Sequence, residues 1–115
     1  GHGVVMDGDR ENGFGPSPME MLLLGIAGCS SIDVVHILKK GRENVLDVQT
    51  DVKAERAETD PKVFTKIHLH FKVKGDNLNE AKIGRAVELS AEKYCSASIM
   101  LSKAAEITHS WEIME

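Results

Sequence analysis

Two thiols are the groups in this chain best suited to chemistry: Cys29 in "LLGIAGCSS" and Cys95 in "EKYCSAS". Two cysteines are too few for a disulfide scaffold, and neither belongs to a C-x-x-C pair. They are either small buried hydrophobes or one redox couple that the fold closes. A reactive thiol works as its thiolate and needs a cation nearby. Asp33 stands one helical turn beyond Cys29, where a carboxylate disfavours that anion. His36 is two turns away and helps only when protonated. The histidines make a weaker case. His68 and His70 fall on one face of a strand and would be half of a metal site, but Lys66 and Lys72 share that face and no third ligand accompanies them. Both are expected in solvent, and His109 is expected to pack beside Trp111. No Ser-His-Asp order, phosphate loop or HExxH motif occurs, and no metal or cofactor site is expected.

The residues ahead of Cys29 decide what kind of element carries it. An apolar run ending in small, small, Cys could be the cleavage site of a lipid-anchored protein, which needs a positively charged start. Here "VVMDGDRENGFGPSPMEM" offers Asp7, Asp9, Glu11 and Glu20 against Arg10, so the charge has the wrong sign. The segment reads better as a helix. Ser17 is its N-cap, Pro18 its first residue and Glu20 the third, which together make a capping box. Met19, Leu22, Leu23, Ile26 and Cys29 share one face, and Met21, Leu24, Ile32, Val35 and Leu38 the neighbouring one. That girth predicts a central, largely buried helix. It should stop at "KKGRE", with Gly41 as a left-handed cap. Gly25 and Gly28 cost helix stability, so "GIAGCSS" is a small-residue notch beside a thiol, for helix packing or for admitting a substrate.

The remaining elements supply a platform. "GVVMD" resembles a strand end. "VLDVQTDVKAER" alternates with Leu46, Val48, Thr50, Val52 and Ala54 on one side, and "VFTKIHLHFKVK" with Val63, Thr65, Ile67, Leu69, Phe71 and Val73; "ETDPK" turns between them. One apolar and one charged face predict an antiparallel sheet packed on helices. Asn77 and Glu80 would cap a second helix with Ile83, Val87, Ser90 or Ala91, and Tyr94 inward, ending at Cys95. "SASIMLSKAA" reads as a short helical turn. "ITHSWEI" closes the chain as a strand with Ile107, His109, Trp111 and Ile113 on one side. The whole, residues 1–115, is one α+β domain. Its net charge of −4 argues against nucleic acid as a partner. No uninterrupted apolar run approaches the roughly 18 residues that argue for a membrane span, so no membrane is expected.

"GPSPMEMLLLGIAGCSSIDVVHILKKGR" resembles the first-cysteine helix of the OsmC/Ohr superfamily, most closely its YhfA-like branch. "AEKYCSASIMLSKAAEITHSWEI" is similar to that family's second-cysteine helix, short helix and closing strand. The resemblance covers essentially the whole chain. It implies an OsmC-like α+β fold, with an antiparallel sheet wrapped on a long central helix plus a second helix. It also implies an intertwined homodimer, a cytoplasmic setting, and further family strands ahead of Gly1. The implied activity is thiol-dependent reduction of small organic hydroperoxides in oxidative-stress defence. Cys29 would attack the peroxide and become a sulfenic acid, Cys95 would condense with it, and an external dithiol reductant would reopen the disulfide. The chain departs from the peroxidase pattern in two places. Peroxidase members carry a glutamate directly after the proline, and an arginine from the N-terminal strands. Here Met19 follows Pro18, and Glu20, one place on, is rotated by about 100°. Glu20 is a third catalytic candidate beside Cys29 and Cys95, although the capping box accounts for it without catalysis. Arg10 lies in a later loop and is not equated with that arginine. Two other readings stay open: a non-enzymatic dimer binding a small hydrophobic ligand, with the cysteines lining its pocket, and a structural dimer with inert thiols.

Overall fold

Ser17, Pro18 and Glu20 start the long helix as their order predicts. The computed structural model describes residues 2–9 and 11–114, so Arg10 lies outside the described residues. Helix α1 runs Pro18–Lys40, and both halves of its capping box form. The Ser17 Oγ accepts from the Glu20 N–H at 3.2 Å, and the Ser17 N–H donates to the Glu20 carboxylate at 3.0 Å. The far end departs from expectation: Gly41 has φ −79°, and Arg42 takes the left-handed conformation at φ 64°. The Glu43 N–H reaches back to the Leu38 carbonyl and the Arg42 N–H to Lys39, the paired bonds of a Schellman stop.

A hairpin follows. Strand β1 (Asn44–Arg56) pairs antiparallel with β2 (Phe64–Asp76). Helix α2 (Glu80–Leu89) continues into a π-helical turn (Ser90–Tyr94), then α3 (Ser96–Leu101) and strand β3 (Glu106–Met114). The sheet order is β1-β2-β3, and β3 runs parallel to β2, which corrects the expected antiparallel sheet. The cause is the connection: two helices intervene between β2 and β3, and a helical crossover returns the chain in the same direction. Residues 3–7, expected to end a strand, have no regular structure, and Val4, Val5 and Met6 are exposed.

The helices cover one face of the sheet. Ile67, Leu69, Phe71 and Val73 of β2 are buried beneath Ile26, Val34 and Leu38 of α1 and Ile83, Ala86 and Val87 of α2. A side chain of this size stabilises by roughly 1.5–3 kcal/mol when fully buried. Two register shifts re-aim the hairpin ends. The first, between Val45 and Asp47, buries Val45 and exposes Leu46; the second, at Arg56, buries Phe64 while Val63 and Thr65 stay exposed. The N-cap of α2 is Asn79, whose side chain accepts from Ala81 and Lys82; Asn77 instead occupies a left-handed turn position. Tyr94 is exposed, because the wider π turn breaks the phase of the stripe on which it was placed.

Helix α1 is only partly enclosed. Ile26, Ala27, Ser30, Val34 and Leu38 are buried, while Leu22, Leu24 and Ile32 are exposed. A Cβ at Gly25 or Gly28 would meet nothing within 4 Å, so nothing in the described chain fills the notch. By length and composition this helix could also cross a membrane. Its inner stripe, however, is part of the core beneath the sheet.

Candidate functional site

Cys29 and Ser30 share one turn of α1 and Asp33 lies on the next, on the side where α3 and the π turn approach. Cys95 is the junction residue. Its N–H closes the π turn on the Ser90 carbonyl at 2.7 Å, and its sulfur caps α3 by accepting from the Ser98 N–H at 3.3 Å. The result is a fully buried Cys95 opposite a half-buried Cys29. The two sulfurs and the Asp33 carboxylate lie within 4.8 Å of one another. Both cysteines are free, and a bonded pair would stand about 2.05 Å apart.

Hydroxyls surround this cluster. Ser30 Oγ donates to Cys95 Sγ at 3.2 Å and shares a 3.2 Å hydrogen bond with Ser98 Oγ. Ser90 Oγ donates to Asp33 Oδ2 at 3.3 Å, and Ser96 Oγ stands 3.9 Å from Cys29 Sγ. Burial is the largest influence on the Cys95 thiol and pushes its pKa up. The Ser30 and Ser98 hydroxyls, the Cys29 thiol and the Ser98 N–H together outweigh it, so the pKa is held below the ordinary thiol value. These serines are the site residues that sequence reading missed, apart from Ser90, which was read only as packing. The available signal was Ser30, a hydroxyl on the buried stripe of an apolar helix. Asp33, singled out in the sequence, is brought by the fold to both sulfurs.

Glu20 belongs elsewhere. Nine residues before Cys29, it is about 13 Å away along the helix axis. It lines a groove with Asp7, Asp9, Ala54, Arg56 and Phe64, and its carboxylate holds the helix cap. His36 is exposed over a separate groove beside Lys39 and Val48. His68 and His70 are half-buried rather than solvent-bathed. His68 bridges Thr108 at 2.6 Å and Ser110 at 2.8 Å, and His70 meets Ser110 at 2.6 Å. These hydroxyls come from the parallel neighbour β3, whose register puts Thr108 opposite His68. His109 packs as expected: its ring lies parallel to Phe71, with centroids 6.5 Å apart. Its enclosed Nε2 has no partner among the described residues. Burial, and then the charge of His68, hold its pKa below the usual value.

This arrangement of helices, sheet and paired sulfurs has known counterparts. The model of the family described as OsmC-like protein matches residues 8–110. The chain belongs to the OsmC-like family. It is 53% identical to Protein YhfA of Escherichia coli K12 over 114 residues, covering 99% of this chain and 84% of YhfA. That name states no activity. A hypothetical protein from Aquifex aeolicus VF5 superposes with TM-score 0.83 at 39% identity, over 90% of this chain and 77% of the other. An organic hydroperoxide resistance protein OsmC from Legionella pneumophila superposes with TM-score 0.70 at 20% identity, over 88% and 72%. At that identity the likeness is one of fold.

Proposed function

We propose that this OsmC-like protein is a thiol peroxidase that reduces small organic hydroperoxides through Cys29 and Cys95. The observation that carries the reading is the approach of an accessible sulfur to a buried one within 4.8 Å, with hydrogen-bond donors on the buried partner. Cys29 is the sulfur a peroxide can reach, so it attacks the distal oxygen. The O–O bond breaks, the thiol proton leaves on the alcohol product, and Cys29 becomes a sulfenic acid. Cys95 then displaces hydroxide from that sulfur. With its proton, one water departs and a disulfide remains, and an external dithiol restores both thiols while taking up the disulfide itself. A Cys95 held toward its thiolate serves the second step, in which it is the nucleophile. Glu20 has no part in this scheme beyond starting α1.

The protein acts as a homodimer in the cytoplasm in this reading. The exposed face of α1 carrying Leu22, Leu24, Gly25, Gly28 and Ile32 is apolar and small-residued, which suits close packing against a second copy. The ligand-binding alternative gains less from the geometry, since two grooves of about 450 Å³ are lined without either cysteine.

Stoichiometric cumene hydroperoxide added to reduced, metal-free protein tests the activity. The expected result is loss of both free thiols and a mass lower by two hydrogens, abolished in Cys29→Ser. In Cys95→Ser the sulfenic acid should accumulate and be trapped by dimedone. Unchanged mass at high peroxide overturns the proposal. Glu20→Gln preserves a capping box, so its oxidation rate should match the unmodified protein; a collapse in rate would return Glu20 to the chemistry.

A further inference from the structure

Peroxide chemistry uses two sulfurs and has no use for Asp33. Yet the Asp33 carboxylate lies within 4.8 Å of both sulfurs. Two sulfurs and a carboxylate, each a metal-ligating group, converge here. The ion pairs among the described residues lie elsewhere, at Glu55, Glu112, Asp51 and Glu43, so no described basic side chain offsets Asp33. Among the described residues, no cation is paired with the cluster.

We propose that Cys29, Asp33 and Cys95 form a binding site for one Zn²⁺ ion. The donor set is right for it, two thiolates and a carboxylate, with a water for the fourth position. Zinc holds sulfur at about 2.3 Å and oxygen at about 2.0 Å, which puts tetrahedral ligand atoms somewhat under 4 Å apart. Contraction from 4.8 Å is within side-chain rotation. The placement is favourable too. Cys29 and Asp33 are one turn apart on a single helix, so they project side by side. Cys95 comes from the opposing junction and closes the third corner. Partners that orient ligands are already in place: Ser90 Oγ on Asp33, and Ser30 Oγ and the Ser98 N–H on Cys95. Half-buried Cys29 gives the ion a way in.

Binding takes one Zn²⁺, two thiols and one carboxylate, and releases two protons to solvent. The metal and a peroxide then compete for the same sulfurs, and a Cys29–Cys95 disulfide leaves only Asp33 to hold the ion. The site does not depend on the peroxidase reading, because the metal is bound by the reduced protein without any oxidant.

Untagged, reduced protein titrated anaerobically with Co²⁺ tests the proposal. One ion per chain should bind, with sulfur-to-cobalt charge-transfer absorption in the near ultraviolet and the visible bands of four-coordinate cobalt. Zn²⁺ should erase both. Asp33→Asn should weaken binding by about 10-fold or more, and Cys29→Ser should remove most of the charge-transfer intensity. Disulfide-oxidised protein should bind no cobalt. Zn²⁺ should also slow alkylation of Cys29 by iodoacetamide in the unmodified protein, a readout that requires no variant to fold. Cobalt bound without charge transfer, unaltered affinity in Asp33→Asn, or alkylation indifferent to zinc would each overturn the site. The peroxide assay, run in chelator, is unaffected by these outcomes, so each reading fails by itself.

Discussion

Two polar places lie beneath the helical face of the same sheet, and they are finished differently. Between α1 and the π turn, the Cys95 sulfur accepts from Ser30 Oγ and the Ser98 N–H. Between α2 and β3, the His109 ring is stacked on Phe71 and its Nε2 has no described partner. Ser98 touches both, sharing a hydrogen bond with Ser30 while lining the cavity below His109 and Trp111. Burial acts against the charged form at each. At His109 burial prevails and the ring is held neutral, whereas at Cys95 donors reverse it and favour the anion. Donor supply therefore separates a titratable group held neutral from one whose anion is favoured in this core.

The largest way to break the comparison is at Phe71, on which the His109 ring is stacked. Phe71→Ala removes a fully buried ring and should cost about 3–5 kcal/mol in urea denaturation. If the two places are independent, what stays folded should still form the Cys29–Cys95 disulfide with peroxide. A folded Phe71→Ala protein that loses disulfide formation would show that the sulfurs rely on the histidine side. Ser30→Ala strikes the other side. It takes one donor from Cys95 and the Ser98 hydroxyl's partner together, which should cost about 1–3 kcal/mol. It should also move the Cys95 thiolate absorbance titration to higher pH and slow disulfide closure. An unmoved titration would mean that donors do not set the sulfur apart from the histidine.

How far each place could be read in the sequence follows the same division. His109 and Trp111 were legible because alternation along a strand fixes which side chains face the core. The start of α1 was legible because Ser17, Pro18 and Glu20 each have a local role there. The direction of β3 was not, since alternation is the same for parallel and antiparallel strands. The apolar pair Val45 and Leu46 hid a bulge, as either could face inward. In the stretch of Asp76 to Glu80, two asparagines compete for one cap, and the turn that puts Asn77 at positive φ gives it to Asn79. Around the sulfurs, spacing alone did not join Cys29 to Cys95; the family resemblance did. The serines escaped notice because a hydroxyl inside an apolar helix reads as filler until its partner, distant in sequence, is known.

Acid sharpens the contrast more gently. The folded-state pKa of His109 lies below the ordinary 6.5, so over the window beneath that value the unfolded chain binds a proton that the folded one refuses. Unfolding is then favoured as pH falls from about 6.5 through the folded pKa, and this contribution to stability is complete above 6.5. Denaturation midpoints measured across that window should decline toward acid. A flat profile would mean that the ring is not held neutral by its surroundings.

The smallest expected effect is the most discriminating. His109→Phe keeps a ring stacked on Phe71 and deletes the enclosed Nε2 that lacks a described partner. Replacing an unsatisfied polar atom by carbon in an apolar site is neutral or mildly stabilising, and the adjoining cavity of about 450 Å³ accommodates the slightly larger ring. Stability at neutral pH should stay within about 1 kcal/mol of the parent, and the acid-side decline should flatten. Thiol oxidation by cumene hydroperoxide should proceed at the parent rate, because no hydrogen bond runs from His109 to the serines around Cys95 among the described residues. If His109→Phe slows oxidation while the protein remains folded, the ring acts through Ser98 on the sulfurs. The two places would then be one site, with the cavity beneath Trp111 as part of its substrate approach.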